Sequence, residues 1–302
     1  MTNRHIYSKI ANYALKSCTL TVLLFSVAFI LFIFYVALPA FQTQGLYFLT
    51  GSEWSYEEDI YGIRIFLLGT LTLTFVTMIL AVPLSLFTAI YIAEYASNII
   101  ASALRPLIEL LVGIPSVVYG IFGLFILEDI FEYQIDPFID VTIGFIPFFA
   151  DNWHNGKSIL LASTVLAVMI LPTMTSVIED SIRAIPHVYK EASFALGANH
   201  WQTIKKVILP AAKNGVVLGS VLGLMRAMGE TMAVAMLLGN VPQVPSSVLD
   251  GGAYVMTSKI LNDITYHLTD DSARAALFGI AAVLFALEIV CVGAARHIGK
   301  QL

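Results

Sequence analysis

The chain has 302 residues, of which 58% are hydrophobic and 12% are charged, against about 45–50% and about 25% in an average soluble domain. One oversized core does not explain this excess, because single cores stop growing near about 300 residues, so most of the chain is predicted to face lipid. The net charge of −5 argues against a nucleic-acid binder, which needs a basic surface. The two cysteines, Cys18 and Cys291, exclude a disulfide scaffold and a cysteine-rich metal cluster.

Six apolar stretches are long enough to cross a bilayer, which takes about 20 residues of helix. They lie at roughly 19–40, 65–93, 107–127, 158–178, 213–240 and 274–295. The first follows basic residues as a signal peptide does, but it is longer than the usual apolar region of about 7–15 residues, which indicates an uncleaved anchor. The predicted fold is therefore an all-α bundle of about six membrane-spanning helices. We divide it into an anchor helix with the first outer segment, 1–64, and a core, 65–302.

Basic residues are concentrated on one side of these spans, and cytoplasmic segments are the ones that retain Lys and Arg. Eleven of the 16 fall on that side: Arg4, Lys9, Lys16, Arg105, Arg183, Lys190, Lys205, Lys206, Lys213, Arg296 and Lys300. Both termini are thus predicted to be cytoplasmic, in a multi-pass protein of a prokaryotic cell membrane. The outer segments, at about 41–64, 128–157 and 241–273, carry 14 of the 21 acids, which indicates either a solvated face or a docking surface.

Arg226 lies near the middle of the fifth predicted span. A membrane position costs an arginine about 2.5–3.5 kcal/mol, so its side chain is expected to face protein or water and to have a partner. Glu230, one turn on, is the candidate. Both share a helix face, within about 80° at 100° per residue, with a glycine ridge that lets a neighbouring helix approach closely. The ridge is formed by Gly215, Gly219 and Gly223.

Two interpretations of Arg226 remain open from the residues alone. As a functional group, it offers a fixed positive charge and a planar donor fork suited to an oxyanion, with Glu230 holding it or exchanging partners. As a structural group, it forms with Glu230 a neutralised pair that locks two helices together.

A stripe of hydroxyls runs along the second predicted span, within about 80° on a helical projection. It consists of Thr70, Thr74, Thr77, Ser85 and Thr88. These side chains are candidates for lining a hydrophilic pathway, with Pro83 loosening the backbone between them. The alternative for each hydroxyl is a bond to its own i−4 carbonyl or to a neighbouring helix. In either case the stripe marks a face turned away from lipid.

Proline and glycine predict a break in the third span and short helices elsewhere. The sequence Gly113-Ile114-Pro115-Ser116 indicates a kink that leaves backbone groups free to line a cavity. The outer segment 128–157 is long enough to hold short helices on the membrane surface.

A polar segment between the fourth and fifth spans, 179–212, is predicted to form two short helices. Pro186 suits a first turn, Gly197 suits a C′ stop, and Asn199 with Gln202 resembles a capping box. Pro210 is expected to end the second helix. A helix-turn-helix at the membrane surface is expected to dock into a cytoplasmic partner.

The same segment resembles the EAA loop of ABC-importer permeases, Glu-Ala-Ala-x3-Gly-x9-Ile-x-Leu-Pro. Ser193 replaces the second Ala and Val207 replaces Ile; the matching positions are Glu191, Ala192, Gly197, Leu209 and Pro210. The resemblance implies the type I ABC-importer permease fold. It also implies that residues 187–209 form coupling helices that sit in a groove of a separate ATPase subunit.

The run from Arg226 to Val234, Arg-Ala-Met-Gly-Glu-Thr-Met-Ala-Val, resembles the signature of phosphate-specific transport permeases, in the form typical of the PstC-type subunit. This resemblance implies half of a pore completed by a PstA-type permease, two PstB-type ATPases that bind ATP and Mg, and a PstS-type binding protein that delivers phosphate from outside. It implies no cofactor in this chain, and it makes Arg226 and Glu230 important for transport. Oxyanion identity rests on this resemblance rather than on residue chemistry.

Other functions fit the sequence less well. Gly156-Lys157-Ser158 is the one lookalike of a phosphate loop, but Asp151 stands where that motif needs a glycine. ATP is therefore expected to bind on another chain. The six histidines have no metal-ligand spacing and no nucleophile–base pair stands out, which disfavours a membrane enzyme. A secondary phosphate carrier or channel, or a permease for another oxyanion, remains an alternative. The carrier would account for Arg226 and the hydroxyls, but it leaves the loop unexplained.

Overall fold

The computed structural model describes residues 2–151 and 156–301, and the side chains of residues 12–151 and 156–297. Almost all the regular structure in these residues is helical. The α-helices are α1 Thr2–Gln44, α2 Tyr47–Thr50, α3 Arg64–Ile90, α4 Asn98–Val112, α5 Ser116–Phe122, α6 Glu128–Ile130, α7 Asp136–Ile143, α8 Ile159–Arg183, α9 His187–Ala195, α10 His200–Thr203, α11 Leu209–Gly229, α12 Met232–Leu237, α13 Met256–His267 and α14 Asp271–Gln301. Strands β1 Trp54–Ser55 and β2 Ile60–Tyr61 form an antiparallel hairpin.

Single helical turns of other types connect several of these helices. Four are π-helical, Tyr91–Tyr95, Gly123–Leu127, Phe131–Ile135 and Ile204–Ile208, and Pro147–Phe149 is a 3₁₀ turn. The predicted short helices in the outer segment are present: the helical chain that begins at Ser116 continues to Ile143. The expected all-α bundle is therefore confirmed.

Four of the six predicted spans, and the first part of the fifth, correspond to single long apolar helices in the described residues; the fifth ends at Gly229, so its predicted bound at 240 is wrong. These are Asn12–Gln44, Arg64–Tyr95, Ile159–Arg183, His200–Gly229 and Asp271–His297. Each begins before the apolar stretch or extends beyond it, because polar ends continue the helix outside the apolar run. The first helix has few buried residues and packs along α14, where the rings of Phe32 and Phe278 lie 5.9 Å apart. The predicted boundary at 64/65 coincides with the start of α3, and the two-part division stays a prediction.

The third predicted span, 107–127, is not one straight helix but a bent pair of helices, as the predicted break at 113–116 indicates. Asn98–Val112 and Ser116–Ile143 meet at 93°. Pro115, with φ −59° and ψ 140°, leaves the helical conformation, since an interior proline clashes with the preceding turn. The Tyr119 hydroxyl donates to the Leu111 carbonyl across the bend at 3.0 Å, which satisfies a backbone acceptor that the break releases. The predicted break is thus present and sharper than a kink.

The glycine ridge of α11 faces α8, as the pattern of small residues indicates. A Cβ on Gly219 would lie 2.9 Å from Ile178 Cγ1, and one on Gly215 would lie 1.8 Å from Ser181 Oγ. Distances this short leave no room for a side chain. The two helices therefore approach at backbone distance, and this face of α11 is turned into the protein.

Three apolar clusters hold the bundle together. The largest joins α3, α8 and α12. A second, at the hairpin end, includes Phe48, Tyr61, Phe66, Met256 and Leu277. The third lies at the opposite end of α3 and α8 and includes residues of the 179–212 loop. We call it the loop-end core.

Lys259 fastens α13 to the hairpin. Its side chain is 9% exposed and pairs with Asp263, which also accepts a hydrogen bond from the Tyr56 hydroxyl. The ammonium lies 4.7 Å from the Trp54 ring centroid, within range of a cation–π contact. Burial lowers the pKa of Lys259, and Asp263 opposes that change. The Lys259 ammonium is thus stabilised by the Asp263 carboxylate and by the aromatic rings around it.

We expect Lys259→Met to lower the thermal midpoint of the protein in detergent. Breaking a buried pair by removing one partner costs about 3–5 kcal/mol, because the remaining charge stays buried. The matched control is Arg274→Met, which removes an exposed pair with Asp271 and is expected to cost no more than about 1 kcal/mol. Adding Asp263→Asn to Lys259→Met should recover part of the loss. Equal midpoints for the two single variants would contradict this assignment.

Candidate functional site

Arg226 lies in the last turn of α11 and is half-buried. Its Nη1 donates to the Thr173 hydroxyl of α8 at 3.1 Å. The guanidinium is thus turned toward α8, as expected for an arginine inside a membrane-spanning helix. Arg226 therefore satisfies part of its hydrogen-bonding capacity inside this chain.

Glu230 is not the partner of Arg226, which corrects the predicted pair. Helix α11 ends at Gly229, and Glu230 is extended, with φ −67° and ψ 132°. Its carboxylate instead accepts from the Ala233 N–H at the start of α12, at 3.4 Å. No ion pair within 4 Å joins Glu230 to Arg226 in the part of the chain that the structure describes. The i+4 relation required a continuous helix, and the helix stops one residue too early for it.

This arrangement removes the predicted ion pair from the structural interpretation of Arg226, and the role of Arg226 in transport stays a prediction. The neutralised pair with Glu230 is absent among the described residues, so it does not lock two helices together. A guanidinium has five N–H donors, and one of them is used on Thr173. The remaining fork has the geometry that binds carboxylates and phosphates bidentately. Chemically, the site offers a fixed cation and donors at the end of a membrane helix.

Four hydroxyls of the stripe on α3 are buried inside the bundle, those of Thr70, Thr74, Thr77 and Ser85. Thr88 is partly exposed and donates to the Leu84 carbonyl at 2.7 Å. Thr70 donates to the Phe66 carbonyl at 2.8 Å and accepts from the Met256 N–H at 3.0 Å, and Thr77 donates to the Leu73 carbonyl at 2.8 Å. These two follow the i−4 alternative. Thr74 and Ser85 have buried hydroxyl oxygens with no hydrogen-bond partner among the residues whose side chains the structure describes. The stripe faces away from lipid as predicted, and a role for it in the pathway stays a prediction.

Sequence reasoning did not consider Glu288 of α14, an acidic residue inside a predicted span. Its Oε1 lies 3.8 Å from the position that a Cβ on Gly229 would take, so the carboxylate is directed at the end of α11. A cavity of about 340 Å³ between α11 and α14 is lined by Met225, Phe285, Glu288 and Arg296. The signal was available, since Glu288 is the one acid in the predicted span 274–295.

The 179–212 loop folds largely as predicted. Helix α9 begins after Pro186 and is followed by Gly197 in the left-handed region, at φ +83°, where glycine is favoured because it has no Cβ. Asn199 and Gln202 form the expected capping box. Pro210 does not end the second helix, which corrects that prediction.

The chain remains helical through Pro210, from His200 to Gly229. A π turn precedes the proline, and within it the Leu209 N–H donates to the Ile204 carbonyl, five residues back. A π turn contains one more residue than an α-helical turn. The helix therefore continues through Pro210, although this residue has no N–H to donate. Leu209 and Pro210 therefore lie in the helix that carries Arg226 rather than at a stop.

The outer surface of the loop is rich in exposed apolar side chains. They are Val188, Tyr189, Phe194, Leu196 and Trp201. Large exposed apolar groups that cluster on a surface mark interaction sites. Glu191 and Ala192 are exposed beside them, and the buried Ser193 hydroxyl lies 2.9 Å from that of Thr203. Ser193, the departure from the EAA pattern, thus ties α9 to α10.

A pair of arginines fixes the base of α8 next to the loop. Glu179 is buried and pairs with Arg105 of α4 at 2.6 Å and with Arg183 at 3.3 Å. The Arg105 contact spans 74 residues of sequence, which no local pattern reveals. It attaches the helix before the bend at residues 113–115 to the helix that enters the loop.

The chain is similar over nearly its full length to several permease proteins. It is 32% identical over 297 residues to the phosphate transport system permease protein PstC of Pasteurella multocida, covering 97% of this chain and 92% of that one. It is 34% identical over 306 residues to the probable ABC transporter permease protein YqgH of Bacillus subtilis, covering 99% and 93%. With PstC of Xylella fastidiosa it shares 34% over 260 residues, covering 85% and 79%.

Two solved structures share the fold at low sequence identity. The permease of the bacterial alginate ABC transporter, in complex with a periplasmic protein bound to an alginate pentasaccharide, matches with a TM-score of 0.62 at 17% identity, covering 96% of this chain and 94% of that one. The MetNI methionine ABC transporter matches with a TM-score of 0.55 at 19% identity, covering 82% and 99%. Residues 81–302 match the binding-protein-dependent transport system inner membrane component family, so the chain is a multi-pass membrane permease that belongs to this family.

Proposed function

We propose that this chain is a permease subunit of an ATP-driven phosphate importer and forms half of its translocation pore. The observation that carries the proposal is Arg226, a guanidinium in a membrane-spanning helix whose hydrogen bond inside the chain goes to a neutral hydroxyl. Support for phosphate as the substrate comes from relatives named as PstC, which match most of this chain. A permease for another oxyanion would use the same guanidinium.

The partners we infer are a PstA-type permease that completes the pore, two PstB-type ATPases and a PstS-type binding protein. ATP and Mg would be bound by the ATPases. The exposed apolar side chains of the loop support an ATPase contact, because they form an interaction surface beside Glu191. The loop would then lie in the cytoplasm with both termini, and the hairpin end would face the binding protein outside.

In the proposed mechanism, Arg226 draws the anion into the membrane region and orients it. A fixed cation lowers the cost of moving a negative charge through a low-dielectric region, and the planar fork holds two oxygens of an oxyanion at once. Glu230, which contacts the start of α12, and the hydroxyls of Thr70, Thr74, Thr77 and Ser85 would shape the route around it. In this mechanism, Arg226 attracts the anion, and the polar side chains line the route along which the anion moves.

A requirement for ATP separates the importer from a secondary carrier. The complex is expected to co-purify with a nucleotide-binding subunit through the loop, and phosphate uptake in liposomes is expected to require ATP inside the compartment that the loop faces. The measurement is radiolabelled phosphate uptake with and without ATP. An isolated chain that moves phosphate without ATP would select the carrier instead.

Arg226→Gln is expected to reduce uptake by at least about thirtyfold, since losing a desolvated charge contact costs about 2–5 kcal/mol. Assembly with the ATPase should be unchanged. Arg226→Lys keeps the charge without the fork and should be intermediate. The matched control is Thr173→Val, which removes the hydroxyl that Arg226 contacts but leaves the cation. Collapse of assembly in Arg226→Gln would show a structural role.

Changes in the loop are expected to uncouple ATP hydrolysis from uptake without altering the pore. Glu191→Gln removes an exposed charge beside the apolar surface, and Gly197→Ala strains a left-handed position at a cost of about 1 kcal/mol. The readout is phosphate transported per ATP hydrolysed, with Lys206→Gln as a control at an exposed position of the same loop. An unchanged ratio in both variants would refute the coupling role.

A further inference from the structure

The 179–212 loop is joined to the π turn that follows α3 by a part-buried ion pair that sequence reasoning did not detect. Lys190 Nζ of α9 lies 2.5 Å from Glu94 Oε1, and the two side chains are 14% and 5% exposed. His200 Nε2 lies 3.8 Å from the other carboxylate oxygen. The paired residues are 96 positions apart in sequence, so the contact joins separate parts of the fold.

Apolar side chains pack around this ion pair and connect the loop to the ends of α3 and α8. Helix α3 ends in the π turn Tyr91–Tyr95, which contains Glu94, and the Tyr95 ring lies 4.7 Å from that of His200. The loop-end core brings together residues of α3, α8 and the loop, namely Ala89, Ile90, Ile178, Ile182, Ile185, Ile204, Ile208 and Ala212. Loop and helix ends therefore have a continuous packed contact.

An ion pair in such surroundings acts mainly by specifying position. A buried pair contributes little net stability relative to an apolar pair, whereas removal of one partner is strongly unfavourable. It thus penalises any arrangement in which α9 slides along α3 and separates Lys190 from Glu94. Lys205 and Lys206 of the same loop are exposed and impose no such constraint.

We propose that Glu94 and Lys190 are positioning residues that form a strut, through which displacement of the loop by the ATPase is transmitted to α3. The loop is continuous with α11 as well, so one movement would reach both the hydroxyl stripe of α3 and Arg226. This inference rests on the proposed function. It adds a second mechanical connection, and it assigns that connection to two residues outside the EAA pattern and the Arg-Ala-x-Gly-Glu-Thr signature.

The test uses the assembled complex in liposomes, with its binding protein, and measures phosphate transported per ATP hydrolysed. Glu94→Gln and Lys190→Gln should each lower that ratio at least about fivefold, the low end of usual coupling between sites, while hydrolysis continues. The exchanged pair, Glu94→Lys with Lys190→Glu, should restore the ratio to within about twofold of wild type. Lys16→Gln, a change at an exposed cation of α1 outside the loop, is the matched control and should leave the ratio unchanged. Unchanged ratios in the single variants, or no restoration by the exchange, would overturn the strut.

A second measurement covers variants that fail to assemble. Spin labels are placed at two exposed positions, Phe87 of α3 and His187 at the start of α9. Glu94 and Lys190 are left unaltered, and Cys18 and Cys291 are replaced. A strut requires the same label separation with and without ATP, and a changed separation overturns it. If the wild-type complex hydrolyses ATP on addition of binding protein but moves no phosphate, the proposed function fails. The strut is then still judged from the label separation.

Discussion

The cost of a guanidinium in hydrocarbon governs the arrangement of α11. A charged arginine inside a membrane-spanning helix is costly wherever its side chain meets hydrocarbon, so the helix must turn Arg226, in the last turn of α11, toward protein. Close approach of α8 makes that possible, because Gly219 leaves no room for a side chain between the two helices. Thr173 of α8 then supplies the acceptor. The small residues on this face of α11 therefore let α8 come close enough to supply a hydrogen-bond acceptor for Arg226.

Breaks in helices create the other polar features of the membrane region. The chain leaves the helical conformation at Pro115 and again at Glu230, and each break frees backbone groups that hydrocarbon cannot satisfy. The structure satisfies some of them locally: the Tyr119 hydroxyl donates to the Leu111 carbonyl, and Thr257 donates to the Glu230 carbonyl at 2.9 Å. The break at Glu230 lies four residues after Arg226, just beyond the end of the helix that carries it.

Hydropathy and local turn chemistry predict most of the fold, because both act over short stretches of sequence. The spans, the left-handed Gly197 and the Asn199–Gln202 box follow from such signals. Predictions that depended on where a helix ends were wrong. Glu230 lies beyond the end of α11, and Pro210 lies inside a helix that continues after a π turn. The pairs of Glu94 and Glu179 with distant cations require the tertiary structure, since the partners are 96 and 74 residues away.

One continuous helix connects the loop to Arg226. Helical structure runs without a break from His200 in the loop to Gly229, and Arg226 lies about 40 Å along it at 1.5 Å per residue. A rigid helix of that length converts a small tilt at the loop into a displacement of the guanidinium, provided that its loop end is held. The loop-end core and the contacts around Glu94 supply that hold. The π turn Ile204–Ile208 interrupts the regular α-helix before Pro210. In the proposed mechanism, the displacement that reaches Arg226 therefore depends on the packing on both sides of that turn.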